Sequence, residues 1–178
     1  ACLGATGLVV KPAHDGSSIG VTKLAEPTVA ALRKALEDAA GVRGDEVLVE
    51  EYIHGREFTV AVLDGRALPV IEIRAPEGDY DFNNKYFGDA VHYDCPAKLE
   101  DEAAATLGSL CERAFAAVGA RGWSRIDALQ RADGSFALLE INTSPGMTPH
   151  SLVPMAARAV GMDYADLCLK VLSLARCD

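Results

Sequence analysis

The sequence is poor in several features that would mark a protein class. Aromatic residues make up 6% of its 178 positions, and Lys plus Arg number 17 against 26 Asp plus Glu. No run approaches the roughly 20 apolar residues of a membrane span. The formal charge of −9 excludes a general affinity for nucleic acid or for an anionic membrane. Any anion held here is therefore gripped locally, by a few cations, backbone N–H groups or metal ions. The cysteines form no evident disulfide or metal framework. Cys2, Cys95, Cys111, Cys168 and Cys177 are odd in number and include no CxxC pair, which fits unpaired thiols in a reducing cytoplasm. His14, His54, His92 and His150 show no metal-ligand spacing, so none is assigned a metal. No signal peptide is recognisable, and a strand-like run begins almost directly after Ala1, from which a missing N-terminal portion is expected.

What is present is an ordinary soluble composition, 49% hydrophobic and 24% charged, at a length that suits one domain or two small ones. Strand and helix patterns alternate. Gly7 to Lys11 reads as a strand ending at Pro12, and Pro27 to Ala40 has helical spacing with Gly41 as its stop. Glu46 to Ile53, Glu57 to Leu63 and Ala67 to Ile73 are β-branched-rich strands, the last two joined by an Asp64-Gly65 hairpin turn. Arg74 to Pro96 is polar and irregular, and a loop that long in a compact domain is more often functional than not. A helix over Glu100 to Val118 precedes strands at Gly122 to Gln130 and Ser135 to Asn142 around Asp133-Gly134. Helices near Ser151 to Val160 and Asp163 to Ala175 close the chain.

The most informative segment is the hairpin Trp123 to Asn142. With Asp133-Gly134 as a two-residue turn, Asp127 falls opposite Glu140 and Arg125 opposite Asn142, all four on one side of the ribbon. Ile126 with Ile141 and Ala128 with Leu139 form the other, apolar side. Two carboxylates directly across a ladder repel each other, and a cation between them removes that cost. Asp127, Glu140 and Asn142 supply hard oxygen ligands suited to Mg²⁺. Arg125 either shares in that compensation or holds an anionic transition state. The alternative is an exposed charged face on which Arg125 is simply the counter-ion. On the metal reading, relieving the repulsion by Asp127→Asn or Glu140→Gln should leave the metal-free chain as stable or more so. Asn142-Thr143-Ser144-Pro145-Gly146 follows as a loop beside the acids.

A second constellation lies near the start. Lys11 ends a strand, and Gly16-Ser17-Ser18-Ile19-Gly20 follows, so that one ammonium, the hydroxyls of Ser17 and Ser18 and backbone N–H groups suit a polyphosphate. The order is not that of a P-loop, and an isolated loop of this kind is commonly a solvent turn. Glu50-Glu51-Tyr52-Ile53 ends a strand and Glu57 opens the next; either acid suits a ribose hydroxyl or is surface charge. Lys85-Tyr86 sits in the long loop, where a solvated lysine beside a half-buried tyrosine is the ordinary case.

Together these segments resemble the D-alanine–D-alanine ligase family. Val9-Val10-Lys11-Pro12, Gly16 to Gly20, Glu50 with Glu57-Phe58-Thr59-Val60, Lys85-Tyr86, Arg125-Ile126-Asp127 and Glu140 to Thr148 occur in that family's order and spacing, from about Leu8 to the last helix. The resemblance implies an α+β ATP-grasp fold, with mixed or antiparallel sheets, flanking helices and ATP held between two lobes. Residues 1–52 would belong to the central lobe, which carries the phosphate loop. Residues 53–178 would form the C-terminal lobe, with the metal and substrate site. The family's N-terminal domain has no counterpart in the sequence. By the same resemblance Lys11 and Lys85, with Ser17 in the loop, would contact ATP phosphates. Glu50, Glu51 and Ile53 would line the adenine pocket, and Glu57 would hold the ribose. Asp127, Glu140 and Asn142 would ligate two Mg²⁺ (or Mn²⁺) ions, and Arg125 with the Gly146 backbone would stabilise the tetrahedral intermediate. Ser151 and Leu152 would receive the second D-alanine's carboxylate, and Ser18 with Tyr86 would help close the loops.

The implied activity is ATP- and Mg²⁺-dependent ligation of two D-alanines through an acyl phosphate, for peptidoglycan synthesis, by a cytoplasmic homodimer. Its expected partners are ATP and D-alanine, with no nucleic acid and no membrane. The Lys85-Tyr86 pair resembles the dipeptide-forming ligases more than those using D-lactate. The alternatives are another ATP-grasp ligase, D-lactate being the nearest acceptor, and a non-catalytic ATP-binding fragment.

Overall fold

The computed structural model describes residues 7–14, 18–43, 46–74 and 91–176. These fall into two units. One holds the described residues through His54 together with Val91; the other holds Gly55–Arg74 and the chain from His92 onward.

In the first unit, strand β1 (Leu8–Pro12) lies between β2 (Thr22–Leu24) and β3 (Val47–Glu51), antiparallel to both. Helix α1 (Val29–Arg43) packs on this sheet, Ala35 and Ala39 meeting Val10 in a small core completed by Leu24, Leu32, Leu36, Val47 and Val49. The helix starts two residues later than its apolar spacing predicts, because Thr28 caps it: Ala31 N donates to Thr28 Oγ1 at 3.1 Å. It also runs past Gly41, where a Cβ would meet nothing within 4 Å, so this glycine is not the stop. Three-residue β2 is too short to leave a periodic signal.

The second unit is one antiparallel sheet between two helical layers. Its strands are β4 (Glu57–Leu63), β5 (Arg66–Ala67), β6 (Ile71–Arg74), β7 (His92–Asp94), β8 (Trp123–Gln130) and β9 (Phe136–Asn142). The order is β7-β6-β4-β8-β9, with β5 also on β4. Helix α2 (Asp101–Ala117) covers one face, where Leu107, Cys111 and Phe115 meet Phe58, Val60, Val62, Ile126 and Ala128. Helices α3 (Leu152–Ala159) and α4 (Tyr164–Leu174) cover part of the other, where Val153, Ala156, Ala157 and Leu167 meet Ala61, Leu63 and Ile71. The α+β class with antiparallel sheets is as expected.

Three local departures from the sequence reading have identifiable causes. The run expected as one strand from Ala67 to Ile73 is broken at Pro69, which has no N–H to give the ladder. Leu63 pairs with Arg66 and Val62 with Ala67 across a turn whose Asp64 and Gly65 both have positive φ (53° and 76°), as a type I′ hairpin requires. Beyond Pro69, however, Thr59 pairs with Ile71, so the returning strand carries one extra residue. The stretch read as irregular contains β7, which pairs with β6 from Glu72↔Asp94 to Arg74↔His92. Finally, the turn at the acidic hairpin spans three residues, Ala132 to Gly134, instead of two. Arg131 N donates to Ser135 O at 2.8 Å and Gly134 takes φ 85°. Ala128 therefore pairs with Leu138, not Leu139.

On the α2 side, Arg56 donates two hydrogen bonds to Glu72 (Nε at 2.8 Å, Nη2 at 2.7 Å) and lies over the Phe58 ring. Glu72 is 7% exposed, and its hydrogen bond from Arg56 holds its carboxyl below the ordinary value of 4.5. A depressed carboxyl stabilises the fold above its unfolded-state pKa and loses that contribution as pH falls through the folded one. Glu72→Gln is thus expected to cost about 1 kcal/mol at pH 7, Arg56 being part-exposed. The gap to the parent should shrink below pH 4.5, as melting temperatures between pH 7 and pH 3.5 will show; a pH-independent gap contradicts the ion pair. Burial pushes the Cys111 thiol up to about 12. At pH 8 iodoacetamide should leave Cys111 unmodified in the folded chain and label it after unfolding, read by peptide mass spectrometry.

Candidate functional site

On the face of the sheet shared with α3 and α4, apolar side chains stop part-way along the strands. Trp123 and Leu63 are opposite each other and belong to the packed layer. One step further, Ala61 pairs with Arg125, and one step beyond that Thr59 pairs with Asp127. On β9, Asn142 lies opposite Arg125 and Glu140 opposite Asp127, as the sequence predicts. The predicted register survives an incorrect turn because a bulge falls between Asp127 and Ala128, opposite Leu139. The bulge returns the one residue that the longer turn removes. It also lets Phe136, Leu138 and Ile141 all reach the α2 core, although they do not alternate regularly.

Asp127 is 6% exposed, far too enclosed for an uncompensated carboxylate. Arg125 supplies the compensation: Nε donates to Oδ1 at 2.9 Å and Nη2 donates to Oδ2 at 2.7 Å. The same Nη2 is 3.9 Å from Glu140 Oε1, so the guanidinium stands between the two acids. Thr59 Oγ1 donates to Asp127 Oδ1 at 2.6 Å from the neighbouring strand. Asn142 Nδ2 donates to Glu140 Oε1 at 3.1 Å, which leaves the amide oxygen out of that contact. No group of three His, Cys, Asp or Glu side chains suited to a metal occurs among the described residues. The donor set here is two carboxylates and one amide, all hard oxygen ligands, and a cation of charge +1 already occupies the space between the acids. That chemistry fits a divalent cation such as Mg²⁺.

The loop after β9 is braced at several points. Ser151 does not cap α3 with its side chain; Thr148 N donates to Ser151 Oγ at 3.0 Å, and the two hydroxyls lie 2.9 Å apart. Arg158 donates to Pro149 O at 2.8 Å, and the Tyr164 hydroxyl donates to Met147 O. A Cβ on Gly146 would come within 3.0 Å of Ser151 Oγ, so a side chain there would press on the brace. Leu152 packs into the core beneath, which leaves its backbone as the part that can meet a ligand. Glu57 opens β4 two residues before Thr59 and so on the same sheet face.

In the first unit, Lys11 is the penultimate residue of β1 and pairs with Glu50 of β3 at 2.7 Å. Glu51 is the last residue of β3, and Ile53 follows half-buried. Ser18 has φ 59°, a left-handed conformation uncommon for serine, and its carbonyl accepts from Val21 N. Ser17, Lys85 and Tyr86 lie outside the described residues. Sequence reasoning gave no role to Thr59, Arg158 or Tyr164. Thr59 alone left a trace, a hydroxyl inside the apolar run Phe58 to Leu63.

The geometry corrects one expectation. Asp127 is not merely repelled by Glu140; it is the buried half of an ion pair. In the metal-free chain with EDTA present, Asp127→Asn is expected to cost about 1–3 kcal/mol. Glu140→Gln should change stability by no more than about 0.5 kcal/mol, its side chain being 51% exposed. Chemical denaturation of both variants checks this, and equal effects would contradict it.

Residues 5–173 match the family described as D-ala D-ala ligase C-terminus. A D-alanine–D-alanine ligase of Bordetella petrii is 52% identical over 174 residues, covering 96% of this chain and 52% of that protein. Among solved structures, the VanG D-Ala:D-Ser ligase of Enterococcus faecalis is 32% identical with a TM-score of 0.80, over 94% of this chain and 49% of that one. The D-alanine–D-alanine ligase of Bacillus anthracis complexed with ATP is 28% identical with a TM-score of 0.76, over 97% of this chain and 51% of that one. The chain thus spans about half the length of the relatives it matches.

Proposed function

Since the chain belongs to the family of D-alanine–D-alanine ligase C-terminal portions, we propose that it serves ATP-dependent ligation of two D-alanines to D-alanyl-D-alanine, for peptidoglycan synthesis. The observation that carries this reading is the polar face where Arg125, Asp127, Glu140 and Asn142 meet beside the braced Gly146 loop. A carboxylate is a poor electrophile, and transfer of the γ-phosphoryl group from ATP to the first D-alanine gives it a leaving group. The amine of the second D-alanine then attacks the acyl phosphate, a C–N bond forms, the C–O bond to phosphate breaks and the amine loses a proton.

Asp127, Glu140 and Asn142 would hold two Mg²⁺ (or Mn²⁺) ions, whose charge offsets that of the ATP phosphates. Lys11, with Lys85 and Ser17, would bind those phosphates. Glu50, Glu51 and Ile53 would line the adenine pocket, and Glu57 would accept from the ribose. Lys11 is neutralised by Glu50, so a phosphate there would exchange one anionic partner for another. Arg125 and the Gly146 N–H would donate to the oxyanion formed as the amine attacks. Ser151 and the Leu152 N–H, at the start of α3, would receive the second substrate's carboxylate. Ser18 and Tyr86 would help close the site, which keeps water from the acyl phosphate. On this reading the partners are ATP, D-alanine and a second copy of the chain, and the compartment is the cytoplasm. No helix among the described residues is long and apolar enough to cross a membrane.

The test is phosphate release from Mg-ATP, with and without D-alanine, followed by mass spectrometry of the product. D-alanine-dependent release with dialanine formed is the expected result, and Asp127→Asn should lose Mg²⁺-dependent ATP binding. A product containing another acceptor would move the proposal to a different ligase. ATP binding without Mg²⁺ dependence, unaffected by Asp127→Asn, would overturn it.

A further inference from the structure

Two donors hold the Asp127 carboxylate, and they differ in what they can give up. Arg125 is two residues away on the same strand and face, and its fork takes both oxygens. It stands where two facing acids would share a cation, 3.9 Å from Glu140. A guanidinium has only N–H donors, so it and a cation cannot use the same Oδ2 lone pair in this geometry. Thr59 is different. It is 1% exposed, sits on β4 directly opposite Asp127 of β8, and bonds only Oδ1, at 2.6 Å; its other acceptor, Ile126 O, is a poorer 3.4 Å away.

We propose that Arg125 is a resident counter-ion which a divalent cation displaces from Asp127, and that Thr59 is the positioning residue that keeps the carboxylate aimed through the exchange. The inference rests on Asp127, Glu140 and Asn142 being the cation-holding set. Its consequence is an order of events: the guanidinium is released toward an anionic ligand only once the cation has taken its place. The two acids never face each other uncompensated, and Oδ2 is presented without a change of rotamer.

The experiment is a nucleotide-free Mn²⁺ titration, followed by electron paramagnetic resonance of the unbound ion. Arg125→Met should bind Mn²⁺ about three- to tenfold more tightly than the parent, because a competing cation is gone. Arg125→Lys, which keeps a charge but not the fork, should shift in the same direction by a smaller factor. Thr59→Val should weaken Mn²⁺ binding about tenfold, as loss of a ligand's supporting hydrogen bond does, and Thr59→Ser should restore it to within about twofold. Unchanged or weaker binding in both Arg125 variants overturns the exchange, and Thr59→Ser as weak as Thr59→Val overturns the positioning role. Asp127→Asn separates the underlying reading. If it binds Mn²⁺ like the parent, or if the parent and every variant fail to bind, the cation set itself is wrong and the inference falls with it. If Asp127→Asn loses the ion while Arg125→Met and Arg125→Lys gain nothing, only the exchange has failed.

Discussion

The arrangement depends on one enclosed carboxylate. Asp127 is almost wholly buried at the point where the α3–α4 layer stops covering the sheet, and an unpaired charge there would cost several kcal/mol. Everything around it answers that cost. Arg125 and Thr59 point to it from the same face of adjacent strands, and the exposed Glu140 adds negative charge that only a cation can offset. The apolar residues on this face, Trp123, Leu63 and Ala61, keep the helices at one end of the strands, so the polar end stays open to a ligand. Stability and site are one structural fact here: the pair that lets the sheet close without a ligand is also the pair that a ligand must rearrange.

Much of this was legible in the sequence because strand alternation is strict where one face is buried. Asp127 opposite Glu140 and Arg125 opposite Asn142 follow from the hydrophobic pattern of Ile126, Ile141 and their neighbours. The prediction nevertheless rested on a two-residue turn, and the actual turn has three; the bulge at Leu139 offsets the difference. Bulges leave little sequence signal, since an extra residue in an apolar run looks like the rest of the run. Pro69 is the instructive contrast. There the extra residue coincides with a proline, and the break in the strand had a visible cause that the apolar run from Ala67 to Ile73 obscured.

The helix ends were less legible, for a local reason. Gly41 has the residue type of a helix stop, but its place on the exposed side of α1 lets the helix continue through it. Thr28, a stronger start signal than Pro27, fixed the other end. Side-chain roles were least legible of all. Thr59, Arg158 and Tyr164 act on Asp127 and on the Pro145–Ser151 loop through contacts between residues 9 to 68 positions apart. No spacing rule reaches that far.

The residues proposed to bind ligand are divided between two units: Lys11, Ser18, Glu50, Glu51 and Ile53 in one, Glu57, Arg125, Asp127, Glu140, Asn142, Gly146, Ser151 and Leu152 in the other. Holding a cation at the acidic face needs only residues of the second unit. In each unit the chief cation is already paired with an acid, Lys11 with Glu50 and Arg125 with Asp127. Neither Lys11 nor Arg125 therefore stands as a bare positive charge, in keeping with a chain of net charge −9. An anion reaches either cation only by displacing a carboxylate, and on the exchange proposed above a divalent cation frees Arg125 from Asp127.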